Sequence, residues 1–176
     1  HYRPFLWRFW NMMPEKGRIS ILDRSWYRIL MNDRFDRKTT EKQLSYAFDE
    51  IVSFEKLLTD DGIVIMKFFL DISKKEQAKR LAVLEDSKET AWRVTEDDKK
   101  RNKHYDEFRR IVEEVLERTD RDNAPWNVIE AHDREYAAAK VISAVVSRLK
   151  AALEEQAKRA AVPKVSPQES AQIHYD

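Results

Sequence analysis

The stretch Arg18-Ile19-Ser20-Ile21-Leu22-Asp23-Arg24-Ser25-Trp26-Tyr27 decides how this chain is read. An apolar run lies between the turn residues Pro14-Glu15-Lys16-Gly17 and the charged Asp23, which predicts a buried strand over 18–22. Before it, Pro4-Phe5-Leu6-Trp7-Arg8-Phe9-Trp10 sets apolar residues at helical spacing after a proline, predicting a short helix with Trp7, Phe9 and Trp10 in the core. After it, Leu44, Ala47, Phe48, Ile51, Phe54, Leu57 and Leu58 repeat at three and four, an amphipathic helix from Thr40 to Leu58 with Thr39 or Thr40 as cap. Asp60-Asp61-Gly62 ends that helix, and Ile63 to Leu70, interrupted by Lys67, predicts a strand covered on both faces.

Further along, Ser73 and Glu76 have capping-box spacing and start a helix from Lys74 to Leu84. A charged stretch, Glu85 to Lys103, leads to an amphipathic helix through Tyr105, Phe108, Ile111, Val112, Val115 and Leu116. Trp126 to Ile129 is a short strand with Trp126 in the core, and Arg134 to Ala161 is a long helix burying Tyr136, Val141, Ile142, Val145, Val146 and Leu149. Residues 162–176, with Pro163 and Pro167, have the composition of a linker or tail. Strands alternating with helices predict an α/β fold, a parallel sheet with helices on both faces. Ligands of such sheets bind beyond the carboxyl ends of the strands, where Asp23 is expected.

Charge narrows the partners. Thirty-three basic and 32 acidic residues leave a net charge of +1, which selects neither nucleic acid nor an anionic membrane. No cysteine is present, so disulfides, thiolate metal sites and cysteine nucleophiles are excluded, and a cytoplasmic location is the default expectation. The apolar runs are too short to span a bilayer. His1, His104, His132 and His174 have no metal-ligand spacing and are expected at the surface. Ser25 has no histidine at a fixed spacing that would suggest a hydrolase triad.

The chemistry that suits Asp23-Arg24-Ser25 is that of Mg²⁺ and phosphate. A carboxylate holds the metal directly or through water, and an arginine fork neutralises phosphoryl oxygens. An Asp-Arg pair that merely caps the next helix accounts for the same residues. Likewise Lys88, Arg93, Lys99, Lys100, Arg101 and Lys103 form either a phosphate-binding lid or a solvated helix face, because Glu89, Glu96, Asp97 and Asp98 nearly balance them. Trp92 either stacks on a base or buries its ring.

Four ordered segments resemble family-2 polyphosphate kinases. Pro4 to Trp10 with Pro14 to Gly17 and Asp23-Arg24-Ser25-Trp26-Tyr27 is similar to that family's Walker B region. Gly62 to Lys74 resembles its next strand and turn, Trp92-Arg93-Val94-Thr95-Glu96-Asp97 its lid, and Ala124-Pro125-Trp126-Asn127-Val128-Ile129-Glu130-Ala131 its last strand. The resemblance covers roughly His1 to Leu153 and is nearest to the polyphosphate:AMP phosphotransferase branch, in which two such domains are often fused.

The resemblance implies a three-layer P-loop kinase-like fold with a helical lid at about 85–104. It also implies transfer of a terminal phosphoryl group between polyphosphate and AMP or ADP, with Mg²⁺ and no covalent enzyme intermediate. Asp23 would position the metal, and Asp23, Arg24 and Arg93 would be catalytic. Arg24, Arg28, Lys88, Arg93 and Arg101 would bind phosphate or polyphosphate. A homo-oligomer or a fused tandem domain is expected, with neither nucleic acid nor membrane as partner.

The chain departs from the family in two places. The family's glycine-rich loop lies upstream of the matched segments, and with Gly17 and Gly62 as the only glycines no such loop occurs here, so residues 1–161 are expected to be a partial domain. Arg28 directly follows Tyr27, where the family has Gly or Asn before an arginine. The alternative function is a catalytically inactive domain of the same fold, serving dimerisation, polyphosphate binding or support of a fused active domain.

Overall fold

The computed structural model describes residues 3–161. The elements run α1 (Trp7–Trp10), a π-helical turn (Ile29–Asp33), α2 (Glu41–Asp60), β1 (Lys67–Asp71), α3 (Lys74–Asp86), a 3-10 turn (Ala91–Arg93), α4 (Glu96–Lys103), α5 (Tyr105–Thr119), β2 (Trp126–Glu130) and α6 (Arg134–Ala161). The expected tail at 162–176 lies outside the described residues.

Local sequence signals set the helix starts. Thr40 is the N-cap of α2, its hydroxyl accepting from the Gln43 N–H while the Gln43 side chain accepts from the Thr40 N–H. Thr40→Ala should remove about 1 kcal/mol, seen as a fall of a few degrees in the thermal midpoint. Ser73 caps α3 by accepting from the Glu76 N–H. The Glu76 side chain turns forward instead and takes Arg80 at 2.8 Å, so only half of the expected capping box forms. α3 continues two residues past Leu84, to Asp86.

β1 and β2 pair in parallel, Lys67 opposite Trp126 and Asp71 opposite Glu130. The crossover between them carries α3, α4 and α5, as a parallel pair requires. The main core lies where the apolar stripe of α2 (Leu44, Ala47, Phe48, Ile51, Phe54, Leu58) meets Phe9, Trp26, Tyr27, Leu30 and Val115. Phe9 and Phe54 meet Trp26 edge-to-face at 5.7 and 5.2 Å. A smaller core joins Ile129 and Ala131 to Ala137 and Val141 of α6.

Four expectations need correction. Residues 18–22 do not form a strand: the described sheet contains only β1 and β2, and Ile21 is 93% exposed. β-branched composition favours a pleated surface but supplies no hydrogen-bonding neighbour. For the same reason the second strand begins at Lys67 rather than Ile63. In α6, Tyr136, Ile142 and Val146 are exposed, because the helix meets β2 near its start and nothing among the described residues covers them. Of the α1 aromatics, Phe9 turns inward, while Trp7 and Trp10 remain substantially exposed.

Candidate functional site

Asp23 and Arg24 sit on a turn, not at a strand end. Arg24 and Ser25 have φ of 57° and 32°, left-handed conformations in two consecutive residues that are not glycine. Each costs on the order of 1–3 kcal/mol and persists only where the surroundings over-determine it. Asp23 and Arg24 are exposed, and among the described residues neither carries a side-chain hydrogen bond or ion pair. No group of three or more His, Asp or Glu able to hold a metal occurs among the described residues. Mg²⁺ does not need one: it commonly takes one or two carboxylates and completes its shell with water and substrate phosphates. Asp23, an exposed carboxylate beside an exposed guanidinium, fits that requirement.

The other expected residues fall into two groups. Lys88 and Arg93 are exposed on the connection between α3 and α4, as is Trp92, which is 78% exposed and donates its indole N–H to the Glu89 carbonyl. Arg28 lies 3.5 Å from Asp33, and Arg101 is held at 2.9 Å by Asp98, the residue that closes the Thr95 cap of α4. Arg28 and Arg101 therefore meet carboxylates of their own chain first. No hydrogen bond or ion pair among the described residues links Asp23 or Arg24 to Lys88, Arg93 or Arg101.

The segment expected to be a lid packs against α3 and reaches Asp36. Lys99 pairs with Glu85 at 2.8 Å, Asn102 donates to Gln77 at 2.9 Å, and Lys100 reaches Asp36 at 3.0 Å. Burial alone would raise the Asp36 carboxyl, but hydrogen bonds from Lys100 and Lys38 outweigh it and hold the group below the usual aspartate range. The unfolded carboxyl therefore takes up its proton first, so this stabilisation is present above about pH 4 and lost as pH falls through the folded value. Asp36→Asn should cost about 1 kcal/mol at pH 7 and flatten the acid limb of urea unfolding. Hydrogen exchange in α4 should rise in the variant.

Unforeseen in the sequence is the buried base beneath the turn. Glu55 and Lys67 are 2% and 5% exposed, with Lys67 Nζ 2.9 Å from Glu55 Oε2. Glu55 Oε1 accepts from the Trp26 indole N–H at 2.9 Å and the Tyr27 hydroxyl at 2.7 Å. Lys67 also donates to the Tyr27 hydroxyl at 3.1 Å and the Thr119 carbonyl at 2.8 Å, using all three ammonium donors. Burial and the neighbouring Glu55 carboxylate push the Tyr27 phenol far above its ordinary value. Lys67 interrupting an apolar run was the visible signal.

At the opposite, carboxyl end of the strands lies a second polar cluster. Arg109 meets Asp71 at 3.2 Å, His132 approaches the Ser73 hydroxyl at 3.1 Å, and Arg80 donates to the carbonyls of Ala131 and His132. His132 is exposed as expected, but it bridges the ends of the two strand segments.

Parallel strands joined by a helical crossover, with a helical lid, define a P-loop kinase-like α/β fold. More narrowly, the family model Polyphosphate kinase 2 (PPK2) matches residues 1–157, and the chain belongs to that family. It is 39% identical over 159 residues to a polyphosphate:AMP phosphotransferase of Pseudomonas aeruginosa, covering 89% of this chain and 32% of that protein. It is 33% identical over 134 residues to an AMP/ADP-polyphosphate phosphotransferase of Meiothermus ruber, covering 76% of this chain and 50% of that protein.

The crystal structure of a polyphosphate kinase 2 from Pseudomonas aeruginosa superposes with a TM-score of 0.82 at 32% identity, over 86% of this chain and 33% of that one. One from Arthrobacter aurescens gives 0.80 at 30% identity, over 85% and 53%. The chain spans about a third of the length of the Pseudomonas aeruginosa relative. No helix among the described residues is long and apolar enough to cross a membrane.

Proposed function

We propose that the protein containing this chain transfers the terminal phosphoryl group between inorganic polyphosphate and a nucleotide, AMP to ADP or ADP to ATP. The observation that carries this reading is the exposed Asp23-Arg24 pair on a strained turn, within a chain whose residues 1–157 match the family. In the forward direction an oxygen of the nucleotide's terminal phosphate attacks the end phosphorus of polyphosphate. The bridging P–O bond breaks, and the shortened polyphosphate leaves with the electron pair. The charge of the phosphoryl group spreads over its equatorial oxygens, so the protein's work is positioning and neutralisation.

Arg24 holds phosphoryl oxygens through its guanidinium fork. Asp23 holds Mg²⁺, whose contribution when bound is to neutralise phosphate charge. Lys88 and Arg93, which like Lys103 have no acidic partner among the described residues, approach the polyphosphate chain and exclude water that would otherwise compete as acceptor. Arg28 and Arg101 bind phosphate only by exchanging Asp33 and Asp98 for it.

The test is direct. Purified full-length protein, given polyphosphate, Mg²⁺ and either AMP or ADP, should form the next higher nucleotide at a rate proportional to enzyme. Product formation that does not depend on polyphosphate, or none with either acceptor, overturns the reading.

A further inference from the structure

The buried Glu55–Lys67 pair takes no part in the chemistry just proposed, yet it lies directly under the residues that continue the Asp23-Arg24 turn. The attraction between the two charges is by itself a weak reason for such a pair. Desolvating two charges costs several kcal/mol per ion, and apolar residues of similar volume commonly hold a core as well or better. Apolar side chains cannot, however, aim two donors from consecutive residues at one oxygen. The Glu55 Oε1 atom does this with Trp26 and Tyr27.

What precedes those two residues gives the aim its meaning. Arg24 and Ser25 are left-handed without the freedom of glycine, so something beyond them must fix the backbone. Trp26 is held edge-to-face by Phe9 and Phe54, and Tyr27 by Trp126 at 4.7 Å. The Glu55–Lys67 pair then locks the polar atom of each ring, and Thr119 ties the pair to the end of α5. The geometry points to Glu55 and Lys67 as positioning residues: they hold Trp26 and Tyr27, which keep Arg24 and Ser25 left-handed and so fix the directions in which Asp23 and Arg24 face the phosphate. The functional half of this inference rests on the role proposed above for Asp23 and Arg24; the structural half does not.

Tyr27→Phe in the full-length protein tests both halves. It keeps the ring against Trp126 and deletes the one hydroxyl shared by Glu55 and Lys67. The first readout needs no activity. Brief trypsin treatment of the folded protein should release the peptide beginning at Ser25 about tenfold faster than in wild type, because cleavage tracks the population of the opened turn. Cleavage within α2 and the far-ultraviolet spectrum should not change. The second readout is kinetic: kcat should fall about ten- to a hundredfold, as small misplacements of reacting groups do, with the nucleotide KM unchanged.

If Tyr27 acts through the turn, adding Tyr27→Phe to Arg24→Lys should cost less than the product of the two single effects. Unchanged cleavage after Arg24 overturns the positioning role, and so does a fully multiplicative loss of kcat. A wild-type protein that transfers no phosphate defeats the proposed function instead, and the trypsin result then decides this inference alone. Should Tyr27→Phe not fold, Trp26→Phe removes the other donor to the same Glu55 oxygen and is read in the same way.

Discussion

Asp23→Asn in the full-length protein should lower polyphosphate-dependent nucleotide phosphorylation by about a thousandfold, equivalent to ~4 kcal/mol of transition-state stabilisation. Asparagine keeps the size and one carbonyl oxygen of aspartate but removes the charge proposed to hold Mg²⁺. Stability should hardly move. Asp23 is exposed and makes no side-chain hydrogen bond or ion pair among the described residues, so its thermal midpoint belongs with surface substitutions, within about ±0.5 kcal/mol of wild type. This contrast separates a chemical role from a helix-capping one, because a lost cap would cost about 1 kcal/mol of stability and leave kcat alone. Steady-state rates at several Mg²⁺ concentrations, beside calorimetry of the same preparations, give both quantities. A variant retaining more than a tenth of the wild-type rate would remove Asp23 from the site.

The parts of this fold that were legible in the sequence are those decided within a turn or two of chain. Thr40 and Ser73 announce α2 and α3 because a cap is a contact between a residue and the backbone three positions on. The 3.6-residue period locates α2 and α5 because each has one face against the core. Residues 18–22 misled because a strand requires a neighbour, and composition cannot say whether one is there.

The exposed side of α6 was illegible for a related reason: periodicity identifies an apolar face but not whether anything packs on it. Of the proposed site, Asp23, Arg24, Lys88 and Arg93 were singled out by residue type alone, and three of the basic residues in the charged stretch, Lys99, Lys100 and Arg101, pair with acids, two of them with Glu85 and Asp36, which the local charge count did not include. The Glu55–Lys67 hub was not legible. Its members come from four separated segments, and Glu55 alone looks like a stray charge on the buried stripe of α2, between Phe54 and Leu58.

That hub carries the largest expected stability effect. Lys67→Met should cost about 3–5 kcal/mol, because it leaves the Glu55 carboxylate buried without its counter-charge. For a domain of this size that is a fall on the order of 10 °C in the thermal midpoint. Glu55→Gln should be milder. Burial already draws the Lys67 ammonium below the ordinary lysine value against the opposing pull of Glu55, and without that pull it sheds its proton more readily. The unfolded chain then binds the extra proton, so the stability of Glu55→Gln should rise between pH 7 and about 10, a slope weaker in wild type.

The double variant Glu55→Leu/Lys67→Met separates two views of the pair. An isolated buried ion pair replaced by apolar residues commonly recovers full stability or gains about 1–4 kcal/mol. Here the Trp26 indole N–H, the Tyr27 hydroxyl and the Thr119 carbonyl would all lose partners, at about 1–3 kcal/mol each. The double variant should therefore remain well below wild type in urea unfolding. Recovery to the wild-type midpoint would mean that Trp26 and Tyr27 are held by ring packing alone.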